Sequence, residues 1–365
     1  MGYDANKIKK ILLTGGGTGG SVTPLLAVVE KIRSDIKEPC SYEFLWLGTR
    51  KGPEREMVKD KKIKFISIAN GKLRRYFSIK NLIDPFFIII GFFKAIAIIL
   101  VWRPNLVMSA GSFVSVPVIW AAWLLRVPVI IHQQDIKPGL ANKLMAPCAK
   151  VVTVTFRESL DDYGKKAVWT GNPVAPRNIE QGTGNNLYIK KDLPILLVVG
   201  GGTGSEAINK LVWDGLEELA EICQIIHITG RDKNKNSIPN TRGKNQNYKS
   251  YEFLEHEKIM EIMMAADLVI SRAGLGLLTE LSYLGKAAII IPIPDSHQEE
   301  NARIFQEKEA AKVLDQISLT AEEFISNIKK LIFDNELRKK LSVNISQVMK
   351  KGANQEIVKI IKNLL

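Results

Sequence analysis

Ile11-Leu12-Leu13-Thr14-Gly15-Gly16-Gly17-Thr18-Gly19-Gly20-Ser21-Val22-Thr23-Pro24 and Leu196-Leu197-Val198-Val199-Gly200-Gly201-Gly202-Thr203-Gly204-Ser205 are two versions of one device, one in each half of the chain. Each is a short apolar run followed by a glycine-rich turn that opens a helix. Glycine lets the backbone turn tightly and approach a ligand closely, and the helix start behind it favours anions. A chain carrying the device twice reads as α/β, with two domains whose parallel sheets face one another across a cleft and hold a phosphate-bearing substrate.

The pattern continues outward from both loops. Strand-like runs fall near 8–14, 42–47, 64–68, 105–109, 127–132, 150–154 and 167–170. Helical patterns lie between them, at 23–34, 53–60, 79–102, 112–125 and 138–146, with Pro24 suited to a first helical turn. Gly171-Asn172-Pro173 interrupts the alternation and marks a domain junction, giving domains of 1–171 and 174–345. Strands resume near 194–199, 224–229, 249–253, 267–270, 287–291 and 311–314, with a helix near 205–220 and lysine-rich helices at the end. Such alternation predicts parallel sheets joined by crossover helices.

A chain of 365 residues has room for two such domains. Its net charge of +13 suits nucleic acid, an anionic membrane surface or a phosphorylated substrate. Nucleic acid is set aside, because no nucleic-acid module or interleaving of aromatic and basic residues is present. Cys40, Cys148 and Cys223 are widely spaced and suit a reducing cytosol. Residues 1–7 lack the apolar core of a signal peptide. The run Phe86–Trp102, interrupted by Lys94 and closed by Pro104, falls short of the about 20 apolar residues of a bilayer span. On its residues alone it reads as a buried helix of an α/β layer. The competing reading dips it into a lipid surface, with Lys72, Arg74, Arg75 and Lys80 on anionic headgroups.

Gly15, Gly17 and Gly20 have the spacing of a dinucleotide fingerprint, but the next strand ends Trp46-Leu47-Gly48-Thr49, without the acid that would hold a ribose. No Lys-Ser/Thr pair follows either loop, which excludes a Walker-type site. Ligands of open α/β sheets bind beyond the carboxyl ends of strands, and three polar segments lie there. In Ile131-His132-Gln133-Gln134-Asp135, His132 reads as a structural group, while Asp135 is either a helix cap or a general base. Ser271-Arg272-Ala273-Gly274 opens a helix in which Glu280 is either a surface glutamate or an acceptor for a ribose diol. Pro292-Ile293-Pro294-Asp295-Ser296-His297-Gln298-Glu299-Glu300-Asn301 follows the next strand.

In this order, the opening loop, IHQQD with KPGLANKL, GNPV, the second loop, SRAG with LTEL, and HQ with ENA closely resemble the MurG family of cell-wall N-acetylglucosaminyltransferases, from Ile11 to about Asn301. The resemblance implies a GT-B fold of two Rossmann-like domains, with the C-terminal helix (346–365) packing back on the first. It implies an inverting hexosyl transfer from UDP-N-acetylglucosamine to the 4-hydroxyl of undecaprenyl-linked lipid I, for peptidoglycan synthesis. It also implies a peripheral place on the cytoplasmic face of the cell membrane, and for 72–102 it reverses the buried-helix reading in favour of docking to the anionic surface. No metal or other cofactor is implied. Glu280 takes the uridine ribose on this resemblance, with Arg272 and Gly274 by the nucleotide. Thr203 and Gly204 take the diphosphate, and Gln298 and Asn301 the sugar. Thr18, Gly19, Gly20 and Ser21 meet the acceptor pyrophosphate, with Gln133 and Asn172 also binding substrate.

The chain departs from the family pattern at Ser21, usually His, at Gln133-Gln134-Asp135, usually Glu-Gln-Asn, at Gly202, usually Ser, and at Ala175, usually Arg. Asp135 is therefore the candidate general base, with Ser21 the other catalytic candidate. A lipid glycosyltransferase with a diacylglycerol acceptor and a catalytically silent sugar-nucleotide-binding protein are the competing readings.

Overall fold

Every paired strand runs parallel to its neighbour, in two separate sheets. The computed structural model describes residues 8–35, 41–71, 80–174, 193–202, 204–231 and 246–365, without the side chains of 80–83. Lys72, Arg74, Arg75, Ala175, Thr203, Cys40 and the Lys80 side chain therefore lie outside the description.

The first sheet contains β1 (Lys9–Thr14), β2 (Tyr42–Gly48), β3 (Lys64–Ser67), β4 (Leu106–Ser109), β5 (Val129–Gln133), β6 (Val151–Val154) and β7 (Ala167–Trp169). Their spatial order is 3-2-1-4-5-6-7. Between them run α1 (Thr23–Ser34), α2 (Glu54–Asp60), α3 (Lys80–Trp102), α4 (Ser115–Leu124) and α5 (Leu140–Met145). The second sheet contains β8 (Ile195–Val199), β9 (Gln224–Ile228), β10 (Tyr248–Tyr251), β11 (Leu268–Ser271), β12 (Ala288–Ile290) and β13 (Lys312–Val313). Its order, β10-β9-β8-β11-β12-β13, repeats that of the first. Its helices are α6 (Glu206–Asp214), α7 (Leu216–Ile222), α8 (His256–Ala265), α9 (Leu275–Leu284), α10 (His297–Glu307), α11 (Ala321–Phe333) and α12 (Asn335–Val348), and α13 (Ala353–Leu364) ends the chain. The expected α/β class with two parallel, Rossmann-order sheets is what the chain forms.

Two compact units result: Met1–Arg177 with Lys350–Leu365, and Asn178–Met349. In the first, alternate residues of each strand feed cores on opposite faces, as the two-residue period of a strand requires. Leu12, Leu45, Val107 and Ile131 pack with α3 and α4. Ile11, Leu13, Trp46 and Met108 pack with Leu25, Val28 and Val29 of α1 and with Ile357, Val358 and Ile361 of α13. Lys362 Nζ reaches Asp35 Oδ2 at 3.0 Å, and Asn354 exchanges two hydrogen bonds with the Val174 backbone. The last helix is thereby part of the first unit.

The expected helix over 205–220 is two helices, because Gly215 is at once the end of α6 and the start of α7. Its N–H donates to Leu211 O and its carbonyl accepts from Leu219 N–H, and glycine is a poor helix interior. A second difference concerns α3. Over Asp84–Trp102, 19 residues of mean hydropathy 2.4, only 17% of the stretch is buried. Ala95 and Ile99 face the core, while Phe86, Phe93 and Val101 are 68%, 64% and 85% exposed. The buried-helix reading of the residues alone fails here: the helix is apolar around most of its circumference, and its packing on α4 covers one seam of it. Lys94, which interrupts the run, bonds Ser67 O at 2.8 Å.

Replacing Ile357, fully buried in α13, with Ala is expected to destabilise the first unit by roughly 2–5 kcal/mol in urea denaturation. Lys362→Ala, which removes a partly exposed ion pair, is expected to cost less than about 1 kcal/mol.

Candidate functional site

In each sheet the glycine loop follows the central strand, at the point where strand order reverses. β1 lies between β2 and β4, and β8 between β9 and β11. Crossovers leave such a strand to opposite sides, so the loops beyond its carboxyl end diverge and leave a crevice for a ligand.

In the first unit, four loops are bound together there. The Ser21 hydroxyl accepts from Gly16 N–H at 3.1 Å, and Ser112 Oγ donates to Gly16 O at 2.7 Å. Gln134 Nε2 donates to Ala110 O at 3.0 Å. Glu54, fully buried at the start of α2, accepts from Gly17 N–H and Thr49 N–H. Gly17, Thr18 and Gly20 remain exposed, and α1 begins without a side-chain cap. Ser21 itself is only 8% exposed, and its hydroxyl is used inside the loop.

Gln133 has all its polar valences filled within the protein. Nε2 donates to the carbonyls of Asp135 and Lys137, while Oε1 accepts from Asn142 Nδ2 and Tyr163 OH. It holds the turn that carries Asp135, which is half-buried. Beneath that turn His132 is fully enclosed, with Nε2 2.9 Å from Asn172 Oδ1 and Nδ1 2.9 Å from Thr153 Oγ1. With the amide oxygen accepting, Nε2 carries the proton and Nδ1 accepts from the hydroxyl. Burial pushes the imidazole down to about 4, so it is neutral at pH 7. The structural reading of His132 holds, and its partners are side chains.

The second unit converges on Arg272, which is 8% exposed. Nη1 donates to Ile291 O and Pro292 O, both at 3.0 Å, and Nη2 to Ser205 Oγ at 2.6 Å. One guanidinium thus joins the loops after β8, β11 and β12. Burial lowers its pKa from the ordinary arginine value. Ser205 also caps α6 by accepting from Ile208 N–H. The loop shape demands glycine at 204: φ is +74°, and a Cβ there would lie 2.1 Å from Thr229 O. Gly274 starts α9 without a side-chain cap. Asn301 is fully enclosed and bonds Ala273 O, while Gln298 Oε1 accepts from Ile293 N–H.

Glu280, 8% exposed on α9, is paired through Oε1 with His256 Nε2 at 2.9 Å. His227 of β9 repeats the arrangement of His132, with Nε2 against Asn209 Oδ1 and Nδ1 against Tyr248 OH, and burial lowers it to about 3. Glu54, Ser112, Tyr163, Asn209 and His256 were not singled out in sequence. Glu54 had a signal, an acid in the first turn of a helix directly after the second strand and Pro53.

Two Rossmann-order sheets on one chain, each with a glycine loop at its switch point, give the GT-B fold, and the family within it is a glycosyltransferase one. Residues 11–154 match the N-terminal domain of glycosyltransferase family 28 and residues 195–359 its C-terminal domain, and the chain belongs to that family. It is 40% identical, over 98% of its length and 99% of the relative's, to the UDP-N-acetylglucosamine–N-acetylmuramyl-(pentapeptide) pyrophosphoryl-undecaprenol N-acetylglucosamine transferase of Clostridium kluyveri. The Clostridium botulinum protein of the same name is 38% identical over 97% and 99%. Among solved structures, MurG of Acinetobacter baumannii matches with a TM-score of 0.75 at 27% identity, covering 97% of this chain and 99% of that one.

The two buried histidines set an acid sensitivity. Each has a folded pKa below the usual 6.5, so the unfolded chain takes up protons first as pH falls. Their contribution to stability is complete above about pH 6.5 and is lost towards the folded values, at up to about 1.4 kcal/mol per pH unit for each. His132→Gln is expected to lower stability at pH 7 but to shrink the difference between pH 7 and pH 5 in urea denaturation.

Proposed function

We propose that the chain transfers N-acetylglucosamine from UDP-N-acetylglucosamine to the 4-hydroxyl of undecaprenyl-linked lipid I, with inversion, yielding lipid II and UDP. The observation that carries this is the end-to-end likeness to the Clostridium kluyveri transferase. It favours lipid I over a diacylglycerol acceptor and catalysis over silent nucleotide binding.

The second unit takes the donor. Glu280 accepts from the ribose hydroxyls, and Gln298 meets the sugar above Asn301, which holds Ala273 in place. The diphosphate lies at Thr203 and Gly204 and at the start of α9 around Gly274. There the buried Arg272 charge and the helix dipoles stabilise the developing charge on departing UDP. The first unit takes the acceptor pyrophosphate at Thr18, Gly19 and Gly20. The acceptor oxygen attacks the anomeric carbon as the bond from that carbon to the phosphate oxygen breaks. The hydroxyl proton passes to the Asp135 carboxylate, whose turn is held by Gln133, itself fixed by Asn142 and Tyr163. Ser21 shapes the loop rather than moving a proton.

α3 supports peripheral attachment to the cytoplasmic face of an anionic membrane. Its exposed apolar face continues into a cleft of about 320 Å³ lined by Phe92, Trp120, Trp123, Leu124 and Cys148. Lys166, bonded to the Pro147 carbonyl, supplies a cation at that edge. An apolar face with adjacent cations is the chemistry of an interfacial helix.

Asp135→Asn is expected to lower turnover by about 100-fold or more, the usual share of a general base, with UDP affinity unchanged. Near-normal turnover would remove Asp135 from the role. In flotation with anionic vesicles at low salt, the wild-type protein is expected to rise with lipid and the double variant Phe93→Glu, Val101→Glu to stay behind. Equal flotation of the two would count against α3.

A further inference from the structure

Glu54 is a fully buried carboxylate with no ion-pair partner among the described residues. Isolating such a charge from water is costly unless hydrogen bonds replace the lost hydration. Here they come from two loops. Oε2 accepts from Gly17 N–H at 3.1 Å in the loop after β1, and Oε1 accepts from Thr49 N–H at 2.7 Å and from the Thr49 hydroxyl in the loop after β2. Thr49 Oγ1 in turn accepts from Gly52 N–H at 2.9 Å. The backbone is closed around the carboxylate: a Cβ at Gly16 would lie 2.2 Å from Oε1, and one at Gly52 1.9 Å from Oε2.

In a dinucleotide-binding fold an acid in this region faces outward to a ribose. In this chain the acid is turned onto the protein's own glycine loop. It takes the Gly17 N–H inward, while Gly17, Thr18 and Gly20 stay exposed above it. The loop is held from its other side by Ser21 and Ser112 at Gly16. The peptide between Gly16 and Gly17 is therefore fixed at both ends, and with it the direction in which the exposed turn and the start of α1 present their backbone N–H groups.

We infer that Glu54 is a positioning residue for the acceptor: its carboxylate serves as a built-in anion that sets the glycine loop in the shape that receives the acceptor's diphosphate. This rests on the reading that the first loop meets that diphosphate. The carboxylate acts through the loop and touches no substrate.

The test is steady-state transfer of labelled N-acetylglucosamine to lipid I by the full chain, varying each substrate, with UDP binding measured by calorimetry. Glu54→Gln keeps the shape but turns an NH₂ towards one of the N–H donors. It is expected to raise the acceptor KM about 10- to 100-fold, the span for a lost hydrogen bond to a charge, with donor KM and UDP affinity unchanged. Thr49→Val removes the hydroxyl that donates to Glu54 and accepts from Gly52 N–H, leaves the Thr49 N–H on the carboxylate, and serves if Glu54→Gln does not fold; it is expected to raise the acceptor KM by a smaller factor with the same selectivity. Folded variants with an unchanged acceptor KM would overturn the inference, as would equal losses on both substrates. Absence of transfer to lipid I by the wild-type protein would instead overturn the reading on which it rests.

Discussion

The placement of one central strand in each sheet governs the rest of this molecule. β1 and β8 are each flanked by one strand that follows directly in sequence and one that follows after a longer excursion. Because the crossovers leave on opposite sides, the loops beyond the central strand part. Their backbone N–H groups are then left without sheet partners at one end of each sheet. Ser21, Ser112, Glu54 and Gln133 in the first unit and Arg272 in the second hold these separated loops in fixed positions.

The two units meet this requirement with different chemistry. The second uses a cation: Arg272 gathers three loops through one planar guanidinium, whose forked donors match several acceptors at once. The first uses neutral and acidic groups, with Gln133 filling all four valences and Glu54 joining two loops. A positive group beneath the second loop suits a nucleotide diphosphate that must leave with added charge. Both units share a buried neutral histidine held between an amide oxygen and a hydroxyl.

Local pattern made most of the strands legible. In a parallel sheet both faces are covered, so a strand is a short continuous apolar run, and runs such as Leu196–Val199 stand out between glycine and polar turns. The glycine loops were legible for the same reason, since φ above zero at a position such as Gly204 leaves few other choices. The exposure of α3 was not legible. An apolar helix reads alike whether a sheet or solvent lies beside it, and only the packing against α4 shows that one seam, around Ala95 and Ile99, is covered. Glu54 was hidden for a related reason: a glutamate in a first helical turn is ordinary, and its burial depends on loops distant in sequence.

The sequence by itself determined the class of fold, the two glycine-rich turns, and the order of polar segments at the strand ends, because these follow from local periodicity and from glycine's backbone freedom. The tertiary structure decided which polar groups brace the site and which remain open to a ligand. Gln133, Ser21 and Asn301 are spent on internal hydrogen bonds, Arg272 is buried beneath its loops, and an unremarked glutamate shapes the first glycine loop. Hydrogen-bond partnership and burial are properties of surroundings assembled from residues far apart in the chain, and no local pattern encodes them.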